Sequence, residues 1–123
     1  MRVLIADDQK SVGTTLAKLV LHCQHEVVEV VASGFEAIQA YTRHRPDVVL
    51  MDYWMSRLNG ATACRNILAK DPSARVILVS GWSPSLELES AGAIALLSKP
   101  VDLDHLDELL KSVIATHPLN SRD

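Results

Sequence analysis

Five residues stand where carboxylate-based chemistry could use them: Asp7, Asp8, Asp52, Ser80 and Lys99. Each follows a short apolar run. Val3-Leu4-Ile5-Ala6 leads into the Asp pair, Val48-Val49-Leu50-Met51 into Asp52, Val76-Ile77-Leu78-Val79 into Ser80, and Ile94-Ala95-Leu96-Leu97-Ser98 into Lys99. The first three runs read as strands buried on both faces of a parallel sheet, and the last as the fifth strand. A charge ending a buried strand is costly unless the sheet's carboxyl edge uses it, and open α/β sheets bind ligands at that edge. One strand-end Asp alone also fits a solvated terminus; three carboxylates, a hydroxyl and an ammonium at one edge carry more weight. Without a ligand the anions repel, burial raises their pKa values, and Lys99 offsets only one charge. A divalent cation resolves the conflict, and oxygen-only ligands select a hard ion such as Mg²⁺. Lys99 as a point charge and Ser80 as a hydrogen-bond donor suit phosphoryl oxygens. Asp52, at the centre, is left as the acceptor, since a carboxylate can form an acyl phosphate when a metal and a Lys hold the transferring oxygens in line.

The elements that must position these groups alternate along the chain. Val27 to Ala32 adds a β-branched strand. Between the strands lie helical repeats. Ser11 is the expected cap of the first helix, whose inward set is Val12, Leu16, Leu19, Val20 and Cys23. Glu36 to Arg43 follows the break at Ser33-Gly34, with Ala37, Ile38, Ala40 and Tyr41 facing in. The turn at Asn59-Gly60 opens a helix from Ala61 to Lys70, with Ala63, Cys64, Ile67 and Leu68 facing in. Leu86 to Ala91 has room for only a turn or two, a shortened fourth helix. Asp102 caps the last helix, where Leu103, Leu106, Leu109, Leu110, Val113 and Ile114 form an apolar stripe. Short connections require parallel strands and right-handed crossovers. The expected fold is a doubly wound α/β sandwich on one five-stranded parallel sheet in the order 2-1-3-4-5, flavodoxin-like, which brings the polar strand ends together.

Composition narrows the classes. A chain of 123 residues fits one domain, and its 48% hydrophobic content with 4% aromatics implies a core of Val, Leu, Ile and Ala. The net charge of −3 and the lack of any long basic run argue against direct nucleic-acid or anionic-membrane binding. No apolar run approaches a membrane span, and Met1-Arg2 leads straight into a strand, so a cytoplasmic protein is expected. Cys23 and Cys64 lie far apart and read as reduced thiols. His22, His25, His44, His105 and His117 show no metal-like pairing.

In order and placement, Asp7-Asp8, Asp52, Ser80 and Lys99-Pro100 resemble the pattern of response-regulator receiver domains of two-component signalling, and the resemblance runs from Val3 to about Ile114. It implies a receiver domain over residues 1–117, with 118–123 a tail or the start of a linker. It implies that Asp52 is the phosphoacceptor, taking a phosphoryl group from a phosphohistidine on a histidine kinase or a histidine phosphotransfer protein. Asp8 would bind Mg²⁺ directly, Asp7 partly through water, and Asp52 and the Trp54 backbone carbonyl would add further ligands; Mn²⁺ can substitute. Ser80 would be the switch hydroxyl and Lys99 the phosphate contact, with a cis Lys99-Pro100 peptide. Such a domain is not an enzyme acting on other molecules; it catalyses only its own phosphorylation and dephosphorylation. The first helix, presenting Thr14, Thr15, Lys18, Leu21 and His22, would dock the phosphodonor, and an effector domain or output protein would read the switch.

The chain departs from the family in several places. Ser56 stands where Pro is common after the loop Met, which is expected to loosen that loop. Leu96 replaces the strand-five aromatic that swings inward on activation, so an aromatic-rotamer switch there is impossible. Ser80 and Lys99 are 19 positions apart, a few short of the usual, around the fourth helix. Trp54 and Trp82 flank the site and are expected to shield the phosphoryl group from water. Two rivals remain. A haloacid-dehalogenase-like phosphatase needs a second Asp two residues after the nucleophile, where this chain has Trp54, and a cap domain that is missing. An interaction module that no longer takes phosphate would normally have lost an acidic residue or the Lys.

Overall fold

The apolar runs at 3–6, 48–51 and 76–79 become strands covered on both sides, while 95–98 forms a half-buried edge strand. The computed structural model describes residues 1–81 and 91–116. The elements in chain order are β1 (Arg2–Ala6), α1 (Lys10–His22), β2 (Glu26–Val31), α2 (Gly34–His44), β3 (Val48–Asp52), α3 (Gly60–Lys70), β4 (Val76–Ser80), β5 (Ala95–Ser98) and the C-terminal helix, here α4 (Leu103–Thr116). The sheet has five strands in the order β2-β1-β3-β4-β5, and every pairing is parallel. This is the expected doubly wound order. The expected short helix over Leu86 to Ala91, Trp82, and the tail from His117 lie wholly or mostly outside the described residues.

Alternate residues of each strand feed separate cores. Leu4, Ala6, Val49, Met51, Val76 and Leu78 pack under α2 and α3 with Ala37, Ala40, Ala63, Cys64 and Ile67. Val3, Ile5, Val48, Leu50, Ile77, Val79 and Leu97 pack under α1 and α4 with Leu16, Val20, Leu106, Leu110 and Val113. Small alanines on α2 and α3 let those helices lie close to the sheet. Burial on this scale stabilises by about 25 cal/mol per Å² of apolar surface, the largest favourable contribution to the fold.

Three local details differ from expectation. The N-cap of α1 is Gln9, not Ser11, and it makes no side-chain cap bond. The Asp7 carboxylate takes the Gln9 amide at 2.9 Å, so the turn is already satisfied before Ser11 is reached. Helix α2 starts earlier, at Gly34, because Ser33 caps it by accepting from the Glu36 amide at 3.1 Å and donates back to the Glu36 carboxylate. Ile114 was expected inside the last stripe but is 37% exposed, since α4 buries only Leu106, Leu110 and Val113 fully. The Asp102 cap is present, accepting from the His105 amide at 3.0 Å.

Candidate functional site

The register of the sheet puts four strand ends on one rim. Asp52 pairs with Val79, so Ser80 projects one residue further along that edge. Ser80 in turn pairs with Ser98 on β5, and its carbonyl accepts from the Lys99 amide at 2.9 Å. On the other side, the Asp7 amide donates to Val31 on β2 at 3.0 Å, fixing the turn that carries Asp7 and Asp8. Backbone pairing therefore aims the groups before any side chain interacts. The Lys99-Pro100 peptide is cis, as the resemblance implies.

Asp7, Asp8 and Asp52 each offer a carboxylate oxygen, and these oxygens lie within 4.8 Å of one another. Asp7 and Asp52 are buried, whereas Asp8 is exposed. The Lys99 ammonium reaches both buried acids, at 2.9 Å from Asp52 and 3.3 Å from Asp7. One cation therefore faces three anions. Burial pushes the Asp52 carboxyl above the usual carboxylate range; Lys99 opposes this and the Asp7 and Asp8 charges add to it. Burial pulls the Lys99 ammonium down, but Asp52 and Asp7 outweigh that and hold it above its ordinary value. The cluster is short of positive charge. Among the described residues it is the only grouping of three or more such side chains close enough to share a metal ion. Its donors are all oxygens, so it could bind a hard divalent metal.

The site opens to solvent through a cleft of about 400 Å³ lined by Asp8, Gln9, Asp52, Trp54, Gly81 and Lys99. Trp54 is 56% exposed at its mouth, and its ring meets Tyr53 edge-on at 4.9 Å. Ser80 is buried at the end of β4. Every sequence-predicted site residue among those described, Asp7, Asp8, Asp52, Trp54, Ser80 and Lys99, thus lies at this rim. Thr14, Thr15, Lys18, Leu21 and His22 lie exposed on α1. Leu96 packs partly buried against the α2/α3 core.

Sequence reasoning missed the groups that act through their backbone. Gln9 and Ser56 each give an amide to an acid of the cluster, Gln9 to Asp7 at 2.9 Å and Ser56 to Asp8 at 3.2 Å. Side-chain identity signals neither. Ser56 does more than leave the loop looser, because a proline has no N–H to donate. Gly60 is the third omission. A Cβ there would sit 2.3 Å from the Asp52 carbonyl oxygen, so only glycine lets α3 begin so close to the end of β3. The Asn59-Gly60 pair was legible as a turn, but the close approach was not.

Comparisons with known proteins agree with this arrangement. The family model described as "Response regulator receiver domain" matches residues 3–111. A chemotaxis protein CheY of Listeria monocytogenes is 32% identical over 114 residues, covering 90% of this chain and 96% of that protein. A protein-glutamate methylesterase/protein-glutamine glutaminase of Geobacter metallireducens is 38% identical over 112 residues, covering 85% of this chain and 32% of that protein. The crystal structure of the CheX-CheY-BeF₃-Mg²⁺ complex from Borrelia burgdorferi contains a chain similar in fold, with a TM-score of 0.83, 27% identity, and 94% of this chain and 88% of that one covered.

Proposed function

Since the chain belongs to the response regulator receiver domain family, we propose that Asp52 accepts a phosphoryl group from a phosphohistidine donor and that the resulting acyl phosphate switches a partner-binding surface. Receiver domains are signalling domains, and this one is CheY-like. The single observation that carries the proposal is the bridging Lys99 ammonium, 2.9 Å from Asp52 and 3.3 Å from Asp7, beside an acidic cluster too crowded to be stable by itself. A structural ion pair needs one acid for one base; one lysine shared by two buried acids, with a third acid beside them, suits a site built to receive more positive charge and then a phosphoryl group.

Each residue has a part. Asp7, Asp8, Asp52 and the Trp54 backbone carbonyl would hold Mg²⁺, which when bound would neutralise the carboxylates and the phosphoryl oxygens. Asp52 attacks phosphorus through a carboxylate oxygen; the P–N bond to the donor imidazole breaks as the new P–O bond forms, and the imidazole leaves with the bond's electron pair. Lys99 keeps its charge on the phosphoryl oxygens, and the Ser80 hydroxyl donates a hydrogen bond to one of them. Drawing Ser80 and Lys99 toward the new dianion shifts the ends of β4 and β5, which biases a two-state equilibrium read by a partner. The donor is a histidine kinase or a phosphotransfer protein docking on α1 and the site loops.

The test is labelling with acetyl phosphate in the presence of Mg²⁺. Wild type takes one phosphoryl group that base and hydroxylamine release, as an acyl phosphate requires, and Asp52→Asn takes none. Full labelling of Asp52→Asn would remove the acceptor from Asp52. Turnover of small phosphate esters by the wild type would favour a phosphatase instead.

A further inference from the structure

The acids of the cluster are not held alike. Asp7 is buried and bound twice, by the Gln9 amide and by Lys99. Asp52 is buried against Lys99. Asp8 is exposed, and among the described residues its hydrogen bond is to one group, the Ser56 amide at 3.2 Å. An exposed Asp rotates freely unless something holds it. Here that hold comes from a residue 48 positions away in the chain, on the β3–α3 loop.

The loop is built to present that amide. The Leu58 amide donates to the Ser56 carbonyl at 2.8 Å, a bond spanning two residues, and Arg57 between them has φ of 70°. This is a γ-turn with a central residue at positive φ, a rare and strained form for a non-glycine. Farther along, the Gly60 amide donates to the Tyr53 carbonyl at 2.8 Å and closes the loop on itself. Leu58 is also wedged against α2, where a Cβ on Gly34 would meet the Leu58 carbonyl oxygen at 2.9 Å. The turn is thus anchored on both sides while the Ser56 N–H is left pointing at Asp8.

We infer that Ser56 is a positioning residue: its backbone N–H orients the Asp8 carboxylate for the cation that the cluster takes. The inference rests on the reading of Asp7, Asp8 and Asp52 as a Mg²⁺ site. A carboxylate has four lone-pair positions, so accepting one amide still leaves capacity for a cation. Groups that hydrogen-bond a metal-binding carboxylate cut the freedom it loses on binding, and their removal commonly lowers affinity ten- to a hundredfold. The Ser56 side chain has no part in this. The inference therefore separates two substitutions that both remove the hydroxyl: Ser56→Ala keeps the N–H and Ser56→Pro removes it.

The experiment is a Mg²⁺ titration of the wild type, Ser56→Ala and Ser56→Pro followed by tryptophan fluorescence, paired with the ¹H–¹⁵N spectrum of the wild type. Ser56→Ala should bind within about twofold of the wild type, and Ser56→Pro about tenfold more weakly. In the wild type, the Ser56 amide proton should lie downfield, as for a charge-assisted bond, and should move on Mg²⁺ addition. This second reading needs no variant to fold. Ser56→Pro binding as tightly as Ser56→Ala, or a Ser56 amide indifferent to Mg²⁺, overturns the inference while leaving the metal site standing. A wild type that takes up no Mg²⁺ at millimolar concentration overturns the metal reading and this inference with it.

Discussion

At the scale of single residues, Asp52 is held in a state the fold disfavours. Its carboxylate is 2.9 Å from Lys99, yet burial and two neighbouring acids outweigh that bond and push its pKa up. For an acid, a folded pKa above the unfolded one means that the ionised form costs stability. The cost is complete above the raised folded pKa and vanishes below the unfolded value near about 4. Metal-free Asp52→Asn should therefore be more stable than the wild type at pH 7, by on the order of 1 kcal/mol. The advantage should shrink as the pH falls through the folded pKa. Denaturant melts of both proteins across that range check this, and a wild type more stable than Asp52→Asn at neutral pH would show that the Lys99 bond wins. Trp54 is the other residue to probe here. Its exposed ring at the cleft mouth would slow water's approach to an acyl phosphate, so the phosphorylated Trp54→Ala variant should lose its label several-fold faster. An unchanged half-life would reduce the ring to a bystander.

At the scale of elements, the rim opposite the site is locked by polar groups. The Tyr41 hydroxyl on α2 donates to Asp71, just past α3, at 2.6 Å, and the Asp71 carboxylate also takes the Ser73 hydroxyl at 2.7 Å. Arg2 at the start of β1 donates its amide to Asp47 at 2.7 Å and its guanidinium to the carbonyls of His44 and Arg45. These bonds tie the starts of the strands to the ends of the helices and leave the carboxyl edge as the part free to change. The Tyr41 bond, followed by those from Ser73, depresses the Asp71 pKa. A depressed carboxylate stabilises above its unfolded pKa and loses that contribution as the pH falls through its folded pKa. Tyr41→Phe should thus cost about 1 kcal/mol at pH 7. The deficit should narrow in acid below about pH 4, where the wild type gives up the same interaction. Urea midpoints at pH 7 and pH 3 measure it, and a deficit equal at both would assign the loss to packing instead.

At the scale of the whole molecule, one sheet serves two cores and one edge serves the chemistry. No helix among the described residues is long and apolar enough to cross a membrane. The cores are filled by aliphatic side chains, so stability rests on them and the acidic edge can hold a charge imbalance. A ligand that binds only the folded state stabilises it by about 2.7 kcal/mol at a concentration one hundred times its Kd. Mg²⁺ at saturation should accordingly raise the melting temperature by several degrees, and a chelator should return it to the starting value. No shift on Mg²⁺ addition would argue that the acids are balanced within the protein and need no cation.

Much of this was legible in the chain before folding. The apolar runs before Asp7, Asp52 and Ser80 read as strands buried on both faces, and they are; the run before Lys99 is a strand too, but half-buried at the sheet edge. The alternation of those runs with helical spacing points to a parallel sheet, for which 2-1-3-4-5 is one of the common orders and the one that gives a shared rim. The cap at Asp102 sits where its side-chain chemistry puts it; Ser33 and Asn59, read as a strand break and a turn, turn out to cap α2 and α3. What the tertiary structure alone decided is the business of backbone atoms and of contacts across large sequence separations. The start of α1 at Gln9 rather than Ser11 depends on an Asp7 oxygen already turned toward that amide. The need for glycine at position 60 depends on where the Asp52 carbonyl lies. The Ser56 N–H that holds Asp8 arises from a γ-turn whose central Arg57 carries no local preference for positive φ. Side-chain pattern encodes which faces are buried; the direction of an amide depends on the whole chain being in place.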